Sequence, residues 1–543
     1  MEKLIQIRTK DIEDLLKYFG KNTYRARESC ATTDVILTKC LELWKLDYKC
    51  MVVPNGGGEL CNSYPNNLII PECEVAPEGL EPPELCPLTL TSPSPLSLGS
   101  PSIIPGGSAP SFSSVVSGGA RASLSINGHP ASASPSVRKA SLPADGSKSV
   151  VDGTTEAQSD GIKLREFILK AKFARCRARF PVPTILYKGN YICRSATLSG
   201  GPEMYGRSGI EYLFATAASN KADEDDDEDE VTQTNSDWQL FDRVRSQDIR
   251  LLRACNVGVI VDLMVEKKKV KFGMYVTSSE KVDKENRYSD FSILSLPYPG
   301  CEFFKDFRDL GYTGEGLYFN WSQPFVDAQL VIPERTMSAK VTSDWNSYRK
   351  WDLLRLSQNY LKLLLTYSHE GSQGILVHCI SGWDRTPLFI SLLRLSLWAD
   401  GLIHSSLDHA QILYLTIAYD WMVFGHDLQD RLSKGEEIFF FCFYFLKYIT
   451  SDDFSVGRKP SSDLVDSATT IKEEEGSLES EQSIIVFNRA ERLAKVRSLF
   501  YNIYVTTIGF NFSNGRNESG LGTLVSNFAQ KVGIKPMSCR NTQ

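Results

Sequence analysis

The sequence predicts an α/β fold, a central sheet flanked by helices, and three stretches carry that prediction. A helical stretch from Asp248 to Cys255 passes through Asn256 into the apolar run Val257 to Val261, which ends at Asp262. A second helical stretch, Trp351 to Tyr367, leads into the strand-like Gly374 to His378. After a short loop a strongly apolar helix follows, Leu388 to Trp398. Short apolar runs without alternation read as strands covered on both faces, and helix-to-strand repetition reads as a sheet between helical layers. A small α/β segment precedes this core and helices follow it.

Taken in order, Ile12 to Phe19 and Val35 to Trp44 have helical apolar spacing. Asp47 to Val53 and Leu68 to Ile70 read as short strands around the turn-rich Pro54-Asn55-Gly56-Gly57-Gly58, giving a folded segment over 1–80. The composition then shifts. From Thr91 to Ala120, twenty of thirty residues are Ser, Pro or Gly, too little apolar surface to offset chain entropy, so 81–160 is expected to be a disordered insertion. Within it, Arg138-Lys139-Ala140-Ser141 matches a basophilic kinase site, a pattern common by chance. Order resumes where Leu164, Phe167, Ile168 and Ala171 recur at helical spacing. Strand-like Val182 to Tyr187 and Tyr191 to Cys193 follow, joined by Lys188-Gly189-Asn190. The main domain is placed at 161–450, interrupted by an acidic loop over 220–236. Residues 451–482 read as an acidic, serine-rich linker. In the helical segment 483–543, Leu493, Val496, Phe500 and Ile503 form one apolar face, and Leu524, Val525, Phe528 and Val532 another. Such faces suit a membrane surface, but docking on the protein itself is the favoured expectation.

Composition narrows the function classes. The 543 residues are 42% hydrophobic, enough for a sizeable core, and the net charge of −6 argues against a nucleic-acid binder held by a basic surface. Without the eight consecutive carboxylates from Asp223 to Glu230 that charge becomes +2, so the rest of the chain can face an anionic partner. Thirteen cysteines include no Cys-x-x-Cys pair, the usual spacing of a zinc finger. The N-terminus turns charged before any signal-peptide stretch. The longest apolar run, Ile438 to Leu446, has nine residues, whereas a bilayer needs about 20. It is expected to be a buried helix in a soluble, intracellular, thiol-reduced protein.

One constellation carries chemistry. The strand Ile375-Leu376-Val377 ends in His378-Cys379-Ile380-Ser381-Gly382-Trp383-Asp384-Arg385-Thr386, and a helix begins at once. Unpaired N–H groups at a helix start converge on such a loop, and the macrodipole adds positive potential. A cysteine at the strand end sits beneath that cradle, where the field that binds phosphate also lowers a thiol pKa to roughly 3.5–7.5. The thiolate can then attack phosphorus. Arg385, six residues on, has a planar fork suited to two phosphoryl oxygens. Gly382 lies where backbone must approach an anion or adopt positive φ. Thr386 can donate its hydroxyl to the sulfur, and Pro387 has no N–H for the helix to miss. A lone Cys-x5-Arg arises by chance, and a buried cysteine is usually only a small apolar residue. Here His-Cys, the central Gly, Arg-Thr and the strand-before-helix context coincide. His378 is read as orienting the loop, without a second His for a triad or metal site. No Gly-Lys-Ser/Thr sequence supplies a nucleotide P-loop.

This stretch resembles the active-site motif of the myotubularin phosphoinositide 3-phosphatases, usually Cys-Ser-Asp-Gly-Trp-Asp-Arg-Thr. Ile380 and Ser381 stand where the family usually has Ser and Asp, a pair that marks a divergent branch. Asp420 to Arg431 is similar to the family's Trp-x-x-Phe-Gly-His segment, and Arg194-Ser195-Ala196-Thr197 adds to a likeness covering about 160–450. The resemblance implies a cysteine-dependent, protein-tyrosine-phosphatase-like domain needing neither metal nor cofactor. Its implied substrates are phosphatidylinositol 3-phosphate and phosphatidylinositol 3,5-bisphosphate, cleaved at the 3-phosphate through a phosphocysteine. By the same likeness Cys379 is the nucleophile, Arg385 the phosphate clamp and Asp384 the candidate general acid, with Ile380, Ser381, Gly382, Trp383 and Thr386 forming the substrate loop. A carboxyl beside an anion has its protonated form favoured; the alternative for Asp384 is a loop-organising carboxylate. Ser381 leaves no second acid in the loop. Trp383 either bounds the pocket mouth, the favoured role, or packs beneath it. Lys267, Lys268, Lys269 and Lys271 either bind acidic headgroups or form a solvated strand edge.

The implied partner is a phosphoinositide-bearing membrane surface, met peripherally from the cytoplasm at endosomal or autophagic membranes, with a role in membrane traffic and autophagy. Nucleic acid and a transmembrane segment are not expected; protein partners and the mode of recruitment are not legible. Two other readings stay open, a protein phosphatase acting on phosphotyrosine and an idle lipid-binding scaffold. The intact Cys379–Arg385 pair argues against the scaffold.

Overall fold

The computed structural model describes residues 5–75, 153–200, 232–271, 274–283, 285–333, 335–456 and 488–509, together with Leu88 and Glu203. The acidic run, the kinase-like site and the stretch Leu524 to Val532 lie outside the described residues. The chain divides into two units, residues 1–90 with 157–543, and residues 91–156. Of the second, only Gly153 to Glu156 are described, as the start of a helix.

The first unit is a mixed α/β structure built on a five-stranded sheet. Its strands are β3 (Val182–Tyr187), β4 (Asn190–Ala196), β6 (Val257–Asp262), β9 (Ser292–Ser295) and β10 (Gly374–Cys379), in the order β3-β4-β10-β6-β9. β3 and β4 form an antiparallel hairpin; the other neighbours run parallel. β10 lies at the centre, all six residues buried. That is the burial its unbroken apolar run requires, since a parallel strand between helical layers has no wet face. The helix that leaves it, Arg385–Ala399, is buried along its whole length, as expected of a helix apolar all round. The helix Leu353–Glu370 that feeds β10 starts at Asp352, whose carboxylate caps the Arg355 N–H at 2.9 Å.

The N-terminal stretch forms two helices, Thr9–Phe19 and Ala31–Trp44, and the antiparallel pair β1 (Tyr48–Pro54) and β2 (Asn67–Glu74). It shares the core of the main sheet. Tyr191 Oη donates to the Pro71 carbonyl at 2.7 Å, Tyr64 Oη to that of Phe180 at 2.9 Å, and the Ile69 N–H donates to Tyr419 Oη at 2.9 Å. A third sheet, β5 (Leu198–Ser199), β8 (Met274–Ser278) and β7 (Lys268–Lys271), stands beside the C-terminal ends of β4 and β6.

Two boundaries differ from expectation. The helix Gly153–Ala171 begins inside the span assigned to the disordered insertion, and Thr232–Ala254 begins inside the span assigned to the acidic loop. Both early turns are polar, Gly-Thr-Thr-Glu and Thr-Gln-Thr-Asn, so neither offers an apolar period from which a helix can be read. The nine-residue apolar run is a helix, Ile438–Tyr444, continued by a 3₁₀ turn, with every residue from Ile438 to Leu446 buried. The helix Arg489–Thr507 buries Leu493, Val496, Phe500 and Ile503 against the protein, Phe500 stacking on Phe443 at 3.9 Å between ring centroids. No helix among the described residues is long and apolar enough to cross a membrane.

Candidate active site

β10 delivers Cys379 to the C-terminal edge of the sheet, and the next helix starts six residues later at Arg385. Between them the chain turns tightly enough for two donors to reach the sulfur. The Gly382 N–H lies 3.3 Å from Cys379 Sγ and Thr386 Oγ1 donates to it at 3.2 Å. Gly382 has φ +70°, and a Cβ there would lie 2.6 Å from the Ser195 carbonyl oxygen, so both conformation and space demand glycine. Burial alone would push the Cys379 thiol up. The Arg385 guanidinium and the Thr386 hydroxyl and N–H more than offset it, and the thiol is held below its ordinary value.

Arg385 is buried and fixed by Nη1, which donates to the carbonyls of Leu263 at 2.9 Å and Tyr298 at 3.0 Å. The remainder of its fork lines a cavity of about 1240 Å³ with Cys379, Ile380, Ser381, Trp383, Asp384 and Arg431. Gly382 and Thr386 do not line it; they lie beneath, against the sulfur. Lys267, which is exposed, and Lys268 reach the cavity wall from the start of β7. The side chains of Lys269 and Lys271 lie outside the description. Trp383 is part of the cavity wall, with the Arg177 guanidinium 4.7 Å above its ring.

The loop is held from behind by cations that the motif does not contain. Arg179 Nη2 donates to the Gly382 carbonyl at 3.0 Å, and Arg194 Nη2 to the same oxygen at 3.2 Å. Arg177 Nη1 donates to Ser381 Oγ at 2.9 Å. Burial, then the like charge of Arg179, brings the Arg194 pKa down to about 10. Arg177 and Ala178 both sit at positive φ, 58° and 55°, strain that persists where surrounding contacts over-determine it. An Arg-x-Arg-x-Arg run before β3 was the available signal, but nothing in it names a partner two hundred residues away.

The second motif closes the site from the other side. A π-helical segment, Thr416–Met422, ends the approach, and Asp420 within it forms a buried two-point pair with Arg394 at 2.9 Å. His426 Nδ1 lies 2.9 Å from the Trp383 carbonyl and 3.1 Å from Asp384 Oδ1. Arg431 forks onto both Asp384 oxygens at 3.0 Å. Burial would raise the Asp384 pKa; His426 and Arg431 prevail and hold the carboxyl well below the usual carboxylate range. The expectation of a carboxyl kept protonated by its surroundings is therefore not met in this structure. Arg431 and His426, not an anion, are its nearest neighbours.

His378, one residue before the sulfur, is fully buried with Nε2 3.0 Å from Glu280 Oε2 and Nδ1 4.0 Å from Asp262. Burial favours its neutral form, but Glu280 and then Asp262 raise its pKa above the ordinary value. Asp262, Glu280 and His378 are close enough together to hold a metal ion. Arg175 at 2.6 Å from Glu280 and Lys281 at 2.9 Å from Asp262 already supply the positive charge such a donor set would draw.

No family model matches the chain. Among curated proteins, it is 46% identical over 449 residues to the phosphatidylinositol-3,5-bisphosphate 3-phosphatase MTMR14 of Homo sapiens, covering 81% of this chain and 58% of that protein. Against the Mus musculus protein of the same name it is 44% identical over 469 residues, 85% of this chain and 61% of the relative. Myotubularin of Rattus norvegicus is 34% identical over 140 residues, 23% of this chain and 22% of that protein. The chain thus spans about three fifths of the length of the first two relatives. On this similarity the chain belongs to the myotubularin-related family.

Proposed function

We propose that this chain is a cysteine-based phosphoinositide 3-phosphatase that removes the 3-phosphate of phosphatidylinositol 3-phosphate and phosphatidylinositol 3,5-bisphosphate. The observation that carries the reading is the sulfur of Cys379 at the cavity base, bonded by Gly382 N–H and Thr386 Oγ1 and beside the Arg385 fork. The names of the MTMR14 relatives support the substrate class. In this reading residues 161–450 are a protein-tyrosine-phosphatase-like domain, met by lipid at a cytoplasmic membrane surface of endosomal or autophagic type.

The Cys379 thiolate attacks phosphorus as the bond to the inositol oxygen breaks, and Arg385 with the loop N–H groups takes up the charge on the phosphoryl oxygens. The departing oxygen takes a proton from Asp384. For that step the arriving dianion has to reverse the electrostatics around Asp384, drawing Arg431 toward phosphate and raising the proton affinity of the carboxyl. Water then attacks phosphorus, passing its proton to the Asp384 carboxylate as the P–S bond breaks, and Thr386 Oγ1 donates to the leaving sulfur. The nucleophile, the charge stabiliser and the proton donor all come from the chain, so no step requires a metal.

The test is phosphate release from a panel of phosphoinositides, a soluble inositol headgroup and a phosphotyrosine peptide. Turnover confined to 3-phosphorylated lipids and headgroup is expected, and preference for the peptide would replace the reading. Cys379→Ser should bind substrate without turning it over, since its hydroxyl is not ionised at neutral pH.

A further inference from the structure

The cavity above Cys379 extends well past the space one phosphoryl group needs, and its mouth carries a residue that phosphate chemistry does not call for. Phe325 stands there, 56% exposed, next to Pro324 on the connection between the β-bridge residues Tyr318 and Val331. A single exposed phenylalanine is ordinary. The connection on either side of this one is fixed by contacts. Phe319 packs edge-on against Phe303 at 5.3 Å and Trp321 at 4.9 Å, and Trp321 against Tyr348 at 5.1 Å. Past Phe325, the N–H groups of Asp327 and Ala328 donate to the Val265 carbonyl at 3.1 and 3.0 Å. Asp327 Oδ1 accepts from the Lys267 N–H at 2.7 Å. The connection is thus fastened to the stretch that brings Lys267 to the cavity.

Resting on the lipid reading above, we propose that Phe325 is a membrane anchor, its ring entering the acyl boundary of the bilayer and seating the cavity mouth over a phosphoinositide headgroup. Charge decides against the other common mode of attachment. Among the described residues, those lining the cavity include four cationic side chains and five carboxylates, so this lining carries no net positive charge of the kind by which polybasic segments adhere to anionic lipid. Apolar insertion supplies a hold that this lining does not. A rim that joins one aromatic ring to lysine suits the boundary between acyl chains and headgroups. A single inserted ring holds weakly and reversibly, as an enzyme passing between lipids needs.

The test compares the full chain on two substrates, phosphatidylcholine vesicles containing phosphatidylinositol 3-phosphate and soluble inositol 1,3-bisphosphate. Phe325→Ala is expected to lower vesicle sedimentation and kcat/KM on vesicles about tenfold, the lower end of what burying an aromatic ring confers. Turnover of the soluble headgroup should stay at the wild-type value, and Phe325→Trp should restore vesicle binding. Vesicle kinetics unchanged in Phe325→Ala would overturn the proposal. So would an equal loss on both substrates, which would make Phe325 part of the headgroup pocket. If the wild type hydrolyses neither substrate, the proposed activity falls and sedimentation alone decides the anchor: undiminished vesicle binding by Phe325→Ala sinks it, and loss rescued by Trp sustains it.

Discussion

In the proposed reaction Asp384 has to serve two roles. In this structure it is a carboxylate forked by Arg431 and touched by His426; as a leaving-group acid it must carry a proton. If substrate reverses its state, removing the proton should hurt only when the leaving oxygen needs one. Asp384→Asn is therefore expected to lower kcat on phosphatidylinositol 3-phosphate by about 10²–10⁴, with modest change in KM. An aryl phosphate, whose leaving group is already stable as an anion, should lose far less. Equal losses on the two substrates would remove Asp384 as the acid and leave it as the anchor for Arg431. The Cys379–Arg385 loop was legible without the fold, because cysteine, glycine, arginine and helix start lie within eight residues. The partner of Asp384 was not: Arg431 stood in a recognised segment, but a pairing across 47 residues leaves no local pattern.

At the scale of the element, strands and helices with an apolar period were legible and polar ones were not. β6, β10 and the helix Arg385–Ala399 each combine a continuous apolar stretch with deep burial. β7 and β8 are short and lysine- or threonine-bearing, and their pairing depends on non-local register. The C-terminal helix shows what periodicity does predict. Its stripe of Leu493, Val496, Phe500 and Ile503 is the face that docks, and Arg489 at its start fastens it further, reaching Asp400 at 2.7 Å and Ser396 Oγ at 2.7 Å. Phe500 also packs against Phe439 at 5.6 Å. Phe500→Ala should cost about 3–5 kcal/mol, the range for emptying a buried aromatic site. The check is the midpoint of urea unfolding; a loss under 1 kcal/mol would mean the helix contributes little to the core.

At the scale of the whole molecule, the charged cluster under the loop ties together stretches remote in sequence. Arg175 precedes β3, Asp248 lies in the helix Thr232–Ala254, Asp262 ends β6, Glu280 follows β8 and His378 belongs to β10. Arg175 forks onto Asp248 at 2.9 and 2.7 Å and reaches Glu280 at 2.6 Å, and Tyr288 Oη donates to Asp248 at 2.8 Å. Removing one partner of such a pair leaves an uncompensated buried charge, at a cost of roughly 3–5 kcal/mol. The pH dependence follows from the directions of the shifts. His378 titrates above its ordinary 6.5, with burial opposing and Glu280 prevailing. Its contribution is fully present below 6.5 and is lost as pH rises through the raised value. Glu280 titrates below its ordinary 4.5, with burial opposing and His378 and Arg175 prevailing. Its contribution is fully present above 4.5 and is lost as pH falls toward the depressed value. The His378–Glu280 pair therefore stabilises most between pH 4.5 and 6.5. Urea midpoints of the wild type and His378→Asn, measured across pH, should differ most in that window and converge on the alkaline side. A difference that instead widened above pH 6.5 would show that His378 is neutral in the folded protein and that its contact with Glu280 is not an ion pair.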